Sequence, residues 1–423
     1  MSGGSGSSER LSFGVWIPTA WILTRTALLL CVLKVVAFPG PDVTTDVSVI
    51  YQSWYEVLQT GVYPLDDVTW QYPPAAALAI LSPGLLLPFL GYPTAFFVLT
   101  LLCDAFVLGL LRVKRVEEKE GGGSRRGMWV WVAGVPLLGP TAYARYDLMV
   151  TAVAVAALLA AARSPRALGA LAGFGALLKV WPLLLLTGTP RGETTRRSWA
   201  TAAGTVAVLT VLLAAALPGS LAFLTFQRDR GTEVESLGGL VFHVARHFGW
   251  RGDVLLSYGS MEFLGPYVPL VSTLSLALTV LALGWLAVWR LRAREFGPST
   301  PCDAAFAAVL LFTTTSRVIS PQYMIWLVGL AAACLAFRAS RMARPAWMVL
   351  AATGVTLLEF PLWFSHVVAS DALGVLLMAV RNGLLVAASL TACRRLWRQT
   401  VTGPDRRGAG AARSPRDDSQ LAS

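Results

Sequence analysis

Charge is what this sequence has least of. Only 14% of the 423 residues are Asp, Glu, Lys or Arg, while apolar residues make up 55%. A water-soluble domain of this length buries a core and still needs a charged surface, so that class is excluded. Histidine is reduced to three residues. The five cysteines (Cys31, Cys103, Cys302, Cys334, Cys393) lie in or at the ends of apolar segments, without CxxC spacing. No disulfide frame or cysteine-ligated metal site follows from such spacing. His243 and His247 stand four apart, but no third ligand accompanies them, and no metal is expected. A GxGxxG fingerprint is missing too, and no cofactor is implied.

What is present is a succession of apolar runs of about 20 residues, each long enough to cross a bilayer. The first, Gly14 to Phe38, contains Arg25 and Lys34 and has no small-residue cleavage site behind it, so it reads as a retained helix. Lys and Arg outnumber Asp and Glu by 35 to 24. The basic residues gather in short gaps, such as Arg196-Arg197, Arg290-Arg292-Arg294, Arg338-Arg341-Arg344 and Arg394-Arg395-Arg398. That is the pattern of cytoplasmic loops rather than of a nucleic-acid face, and no nucleic-acid partner is expected. The stretch from Pro39 to Pro74 carries Asp42, Asp46, Glu56, Asp66 and Asp67 and no Lys or Arg, which places it outside.

Loop-charge parity then orders the rest. Ala75 to Leu90 is expected to lie along the outer surface, because a crossing there would strand RVKRVEEKEGGGSRR on the wrong side. ALGALAGFGALLKVWPLLLLTG is either one span or a hairpin with Lys179-Val180-Trp181-Pro182 at its outer tip; the hairpin keeps TPRGETTRR inside. The expectation is an all-α polytopic membrane protein with about twelve transmembrane helices. Its membrane domain covers 13–398, its outer loops about 39–91 and 219–266, and unstructured tails 1–12 and 399–423 lie in the cytoplasm.

Charges in or near apolar segments are costly and mark either ion pairs or a site. Arg25 and Asp104 fall at similar depths and read as a structural pair; Glu359 and Arg381 sit on adjacent helices at less well matched depths. Arg145 and Asp147 in GPTAYARYD, Arg317 in TSRVISPQY, the segment Phe226 to Ser236 and all three histidines converge on the expected outer face. Asp46, just past the first helix, admits two readings. It is a general base at the mouth of a cavity, or, with Thr45, the N-cap of a loop helix beginning at Val47. Asp42, after Pro41, reads as a turn residue.

Six stretches together resemble a known family: TTD ending at Asp46, WQYPP (Trp70 to Pro74), ARYD (Arg145 to Asp147), LLKVWPLLLL around Lys179, QRDRGTEVES (Gln227 to Ser236) and SPQYMIW (Ser320 to Trp326). In order and spacing the chain is similar to glycosyltransferase family 87, the GT-C-type membrane mannosyltransferases that use polyprenyl-phosphate mannose, over roughly Gly14 to Arg398. The resemblance implies a GT-C-like fold at the cell membrane and an inverting sugar transfer at its outer face. The donor would be a polyprenyl-phosphate sugar, most simply mannose, and the acceptor a hydroxyl of a glycolipid or glycan. Asp46 would then be the base. Arg317, Arg145, Lys179, Arg228 and Arg230 are the candidates for the donor phosphate. Tyr72, Asp147, Glu235, His243, Gln322 and Tyr323 are those for sugar or acceptor. Tyr51, Trp54, Tyr55 and Trp70 are aromatic candidates for stacking on sugar. No paired acidic motif follows Asp46, which favours a single-Asp mechanism without metal. The competing reading is a multi-pass transporter or flippase of cell-envelope precursors, which calls for matched repeats that the sequence does not display.

Overall fold

A computed structural model describes residues 5–402 except 65, 66, 68, 118–123 and 227–230. Arg228, Arg230 and most of the expected C-terminal tail therefore lie outside the described residues. Helix α1 (Ser5–Val32) begins inside the stretch expected to be an unstructured tail. A π-helical turn (Asp46–Tyr51) and α2 (Gln52–Leu58) follow, then α3 (Ala76–Leu81) with a 3₁₀ turn (Ser82–Leu86), then α4 (Tyr92–Glu117). Next come α5 (Arg126–Gly134), α6 (Asp147–Ala160), α7 (Pro165–Leu178) and α8 (Glu193–Ala216). Between α8 and α11 (Val268–Arg292) come α9 (Phe223–Phe226), β1 (Thr232–Glu233), α10 (Leu237–Arg246), β2 (Asp253–Ser257) and β3 (Ser260–Leu264). The chain ends with α12 (Thr300–Thr315), α13 (Tyr323–Leu335), α14 (Ala343–Leu357), α15 (Phe364–Ala369) and α16 (Ala372–Thr400).

Helix dominates, as expected; the small antiparallel sheet, in the order β1-β3-β2, is an addition to the all-α reading. Among the described residues five helices are long and apolar enough to cross a membrane, within 92–114, 193–216, 268–292, 343–362 and 372–400. Seven further apolar helices are shorter, 10–17 residues, so helix length supports five of the twelve expected crossings. α8 and α11 leave Val208, Val211, Leu212, Leu274, Leu278 and Leu281 exposed, a face suited to lipid. In α13 every residue from Met324 to Leu335 is buried, the pattern of a central helix that is apolar all round.

Residues 167–188 form the hairpin. Gly169 and Gly173 of α7 press against α8, where an added Cβ would lie 2.3 Å from the Ser198 carbonyl and 2.7 Å from that of Ala202. The matching order, 169 to 198 and 173 to 202, makes α7 and α8 parallel, so the chain must reverse between them. It does so at Lys179, whose extended backbone (φ −153°, ψ 142°) ends α7 before a 3₁₀ return, Trp181–Gly188. The backbone approach that a Gly-x-x-x-Gly spacing allows is what brings α7 and α8 together.

The basic helix ends meet at one end of the bundle. Arg191 donates to the Arg290 carbonyl (2.6 Å), Arg290 to Thr195 (2.8 Å), and Arg395 to the carbonyl of Arg341. α8 and α14 start there and α11 and α16 finish there, so residues after α8 and α14 and before α11 lie at the opposite end. Ala75 N–H bonds to the Leu177 carbonyl (2.9 Å), which sets α3 beside the far tip of the hairpin. Tyr92 Oη, at the start of α4, donates to the Ile80 carbonyl of α3 (2.9 Å), which keeps the two helices together there.

Arg25 and Asp104 pair at 2.9 Å, both buried. Pro136 has no N–H to give the Val132 carbonyl, and Arg25 Nη1 occupies it at 2.7 Å. Asp104 also accepts from Trp21 (2.8 Å), Trp131 (2.8 Å) and Tyr143 (2.9 Å), so this charge pair ties α1, α4 and α5 together. Arg25→Met leaves the carboxylate uncompensated and is expected to cost about 3–5 kcal/mol. Trp21→Phe removes one of several donors and should cost about 1–2 kcal/mol. Thermal unfolding of both variants in detergent micelles checks the order; equal losses would contradict it.

Candidate functional site

At the end away from the basic clusters the helices enclose a cavity of about 630 Å³. Its first wall comes from the segment after α1. Asp42 accepts from Thr44 N–H (2.8 Å) and Oγ1 (2.7 Å), a tight local turn, and its other oxygen pairs with exposed Lys34 at 2.8 Å. That turn delivers Asp46 to the start of the π-helical turn. The capping reading is not realised: Thr45 occupies the cap position without a side-chain hydrogen bond, and Asp46 Oδ2 instead meets Arg145 Nη2 at 2.9 Å. Arg145 Nη1 donates to the carbonyls of Val43 (3.0 Å) and Ala144 (2.8 Å), strapping the segment to the turn before α6. The Asp46 side chain remains 35% exposed and lines the cavity.

The second wall is built around Lys179. The chain reversal there aims the ammonium at Asp147 Oδ1 (2.5 Å), which also accepts from Trp326 Nε1 (2.7 Å). Tyr72, Tyr146, Tyr323 and Trp326 surround the ammonium at 5.0 to 5.4 Å from their ring centres. Such rings hold a cation by their electron-rich faces. Asp147 is correspondingly covered and stands behind Lys179, off the cavity surface.

The floor carries the acidic group. Glu233 Oε2 accepts from Ile319 N–H (2.6 Å) and Oε1 from Ser320 Oγ (2.9 Å), while its own N–H bonds to the Arg317 carbonyl (3.0 Å). These bonds fix the segment after α12, so that Arg317, Gln322 and Tyr323 all line the cavity. Glu235 is buried there as well, and burial first, then Glu233 and Glu359, pushes its carboxyl well above the usual carboxylate range. The roof is the β2–β3 turn: Tyr258 and Gly259 take left-handed backbone (φ 50° and 77°), and an added Cβ on Gly259 would lie 3.8 Å from Thr69. Phe223, Leu224, Phe312, Phe360 and Phe364 supply apolar lining.

The cavity therefore gathers Asp46, Tyr72, Arg145, Lys179, Glu235, Arg317, Gln322 and Tyr323 from distant stretches. Three groups of candidates lie off the cavity: Asp147, which stands behind Lys179, His243, and two of the aromatics. His243 is not at the cavity: it is buried, with Nδ1 2.8 Å from Ser370 Oγ and Nε2 2.8 Å from the Val234 carbonyl. It belongs to a small separate core with Phe242, Phe263 and Met378, which draws it out of reach of a ligand. Among the aromatic candidates, Tyr51 and Trp54 reach the cavity, but Trp70 packs edge-on against Trp54 and Tyr63, and Tyr55 packs against Tyr92. Glu233, Tyr258 and Trp326 were not singled out from sequence; a strand-like spacing of two between Glu233 and Glu235 was the available signal.

A model of glycosyltransferase family 87 matches residues 70–321, more than half of the chain. The chain belongs to glycosyltransferase family 87. No curated protein and no solved structure matches it. The matched span of this glycosyltransferase contains Tyr72, Arg145, Lys179, Glu235 and Arg317; Gln322 and Tyr323 lie just past its end, and Asp46 lies well before its start.

Burial lowers the His243 pKa from 6.5 to about 4, so the folded protein keeps this ring neutral where the unfolded chain binds a proton. Stability from this group is full above pH 6.5 and is lost as pH falls toward about 4. The loss reaches up to about 3 kcal/mol. Unfolding measured across that range should show a shallower pH dependence in His243→Gln than in wild type; an unchanged slope would contradict the assignment.

Proposed function

We propose that this family 87 glycosyltransferase moves mannose from a polyprenyl-phosphate donor to a hydroxyl of a glycolipid or glycan, at the outer face of the cell membrane. The observation that carries the reading is one cavity bordered by a partly exposed carboxylate, by Arg145, Lys179 and Arg317, and by apolar rings. A lipid-linked phosphosugar needs all three surroundings. Orientation follows from charge: the cavity lies opposite the basic helix ends, which the positive-inside rule keeps in the cytoplasm together with both termini.

In this reading Asp46 Oδ takes the proton of the acceptor hydroxyl as its oxygen attacks the anomeric carbon. The bond from that carbon to the phosphate oxygen breaks with inversion, and the electron pair leaves on polyprenyl phosphate. Arg317 and Lys179 stabilise the charge that develops on the leaving group, with Arg228 and Arg230 as further candidates. Arg145 keeps Asp46 aimed. Tyr72, Glu235, Gln322 and Tyr323 border the space left for the sugar, and Asp147 acts through Lys179 by holding it. The segments 39–91 and 219–266 supply most of the walls, while a transporter reading has no observation here that favours it.

The test is transfer from radiolabelled polyprenyl-phosphate mannose in membranes at matched protein levels. Asp46→Asn should lower turnover by ~10²–10⁴-fold while retaining donor binding. Transfer at the wild-type rate by the variant would remove Asp46 as the base. Transfer from a different polyprenyl-phosphate sugar alone would keep the mechanism and revise the sugar.

A further inference from the structure

Three carboxylates and one guanidinium meet below the cavity. Arg381 of α16 gives Nε (2.8 Å) and Nη2 (2.6 Å) to Glu359 Oε1, at the end of α14. Glu233 is satisfied by Ile319 N–H and Ser320 Oγ. Glu235 receives least: its Oε1 lies 3.6 Å from Arg381 Nη2, is buried, and has no hydrogen-bond partner. Glu359 Oε2 is orphaned in the same way. The backbone beside them is firmly held, since the Glu235 carbonyl accepts from Arg381 Nη1 (2.9 Å) and Asn382 Nδ2 (3.4 Å).

The two carboxyls share one guanidinium nitrogen: Arg381 Nη2 lies 2.6 Å from Glu359 Oε1 and 3.6 Å from Glu235 Oε1, and each carboxyl keeps one buried oxygen without a partner. Both are acceptors when ionised, so a proton on one of the carboxyls is what would give these oxygens a donor. Two adjacent buried carboxylates cannot both remain charged beside a single guanidinium; one proton satisfies both oxygens and leaves the pair with the one negative charge that Arg381 balances.

We propose that Glu235 and Glu359 share a single proton, so that Glu235 offers the cavity a neutral carboxyl where an ionised one would repel a phosphate. Glu235 is thereby a positioning residue for an anionic donor. The other groups facing the pair are Glu233 from β1, Arg317 from the segment after α12, and Arg381 with Asn382 from α16. His243 of α10 is turned away toward Val234 and Ser370. The elevated titration of Glu235 agrees with this geometry. The phosphate half of the inference rests on the proposed donor; the shared proton does not.

Two readouts separate them. A short-chain polyprenyl monophosphate is titrated against the full chain in detergent from about pH 5 to about pH 9, for wild type and Glu235→Gln. The ligand's own ionisation affects both proteins alike. As the pair loses its proton, wild-type binding should weaken about tenfold relative to the glutamine variant, whose amide stays neutral. Parallel curves would overturn the positioning role. Infrared difference spectra at neutral pH should contain a protonated-carboxyl band that both Glu235→Gln and Glu359→Gln remove; a band untouched by either variant would overturn the shared proton. Absence of phosphate binding by both proteins would count against the donor reading, while the infrared band still decides the proton.

Discussion

A charge placed inside an apolar bundle has to be neutralised by something that cannot move away, and that requirement organises this molecule. Arg25 with Asp104, Lys179 with Asp147, Arg381 with Glu359 and Arg145 with Asp46 each join stretches distant in sequence. Unpairing any of the first three leaves a buried ion without compensation, so each acts as a rivet between elements. In those three the carboxylate side chain is 0 to 2% exposed, whereas in the fourth it is 35% exposed. Only at Asp46, among these four, is a firmly oriented carboxylate also left open to a ligand. Orientation without full burial is what a base needs.

The helix lengths serve the same end. α6, α12 and α13 are too short for a full crossing, and the hairpin at Lys179 stops where the cavity begins. Their ends, with backbone leaving helical geometry, lie beside a polar cavity rather than lipid, the setting in which irregular backbone is tolerated at membrane depth. The cavity thus exists because several helices stop early, and it is roofed by the two segments between crossings.

Much of this was legible in the sequence. Arg25 and Asp104 sit near the middle of uninterrupted apolar runs, where counting residues gives depth directly. The hairpin followed from loop charge, whereas the parallel packing of α7 on α8 emerged only from the close approach at Gly169 and Gly173. Glu359 and Arg381 were less legible because α14 passes into a π-helical turn at Leu358–Leu362, which changes the rise per residue on which depth counting depends. His243 was misplaced for another reason. Its small core draws Val234, Phe263, Val367 and Met378 from separate stretches, and no periodicity in any one of them announces that they meet. Asp46 was singled out by its position, but its partner stayed hidden, since Arg145 lies about a hundred residues away and the contact is made by tertiary folding rather than by local spacing.

The central claim is that this cavity is where the lipid-linked donor lies. A polyprenyl monophosphate bearing a photoactivatable group near the phosphate, crosslinked to the protein in membranes and mapped by peptide mass spectrometry, tests it most directly. The account predicts label on the segments around Tyr72, Lys179, Arg317 and Tyr323, competed by unlabelled donor. Label confined to the lipid-facing surfaces of α8 and α11, and not competed, would contradict it.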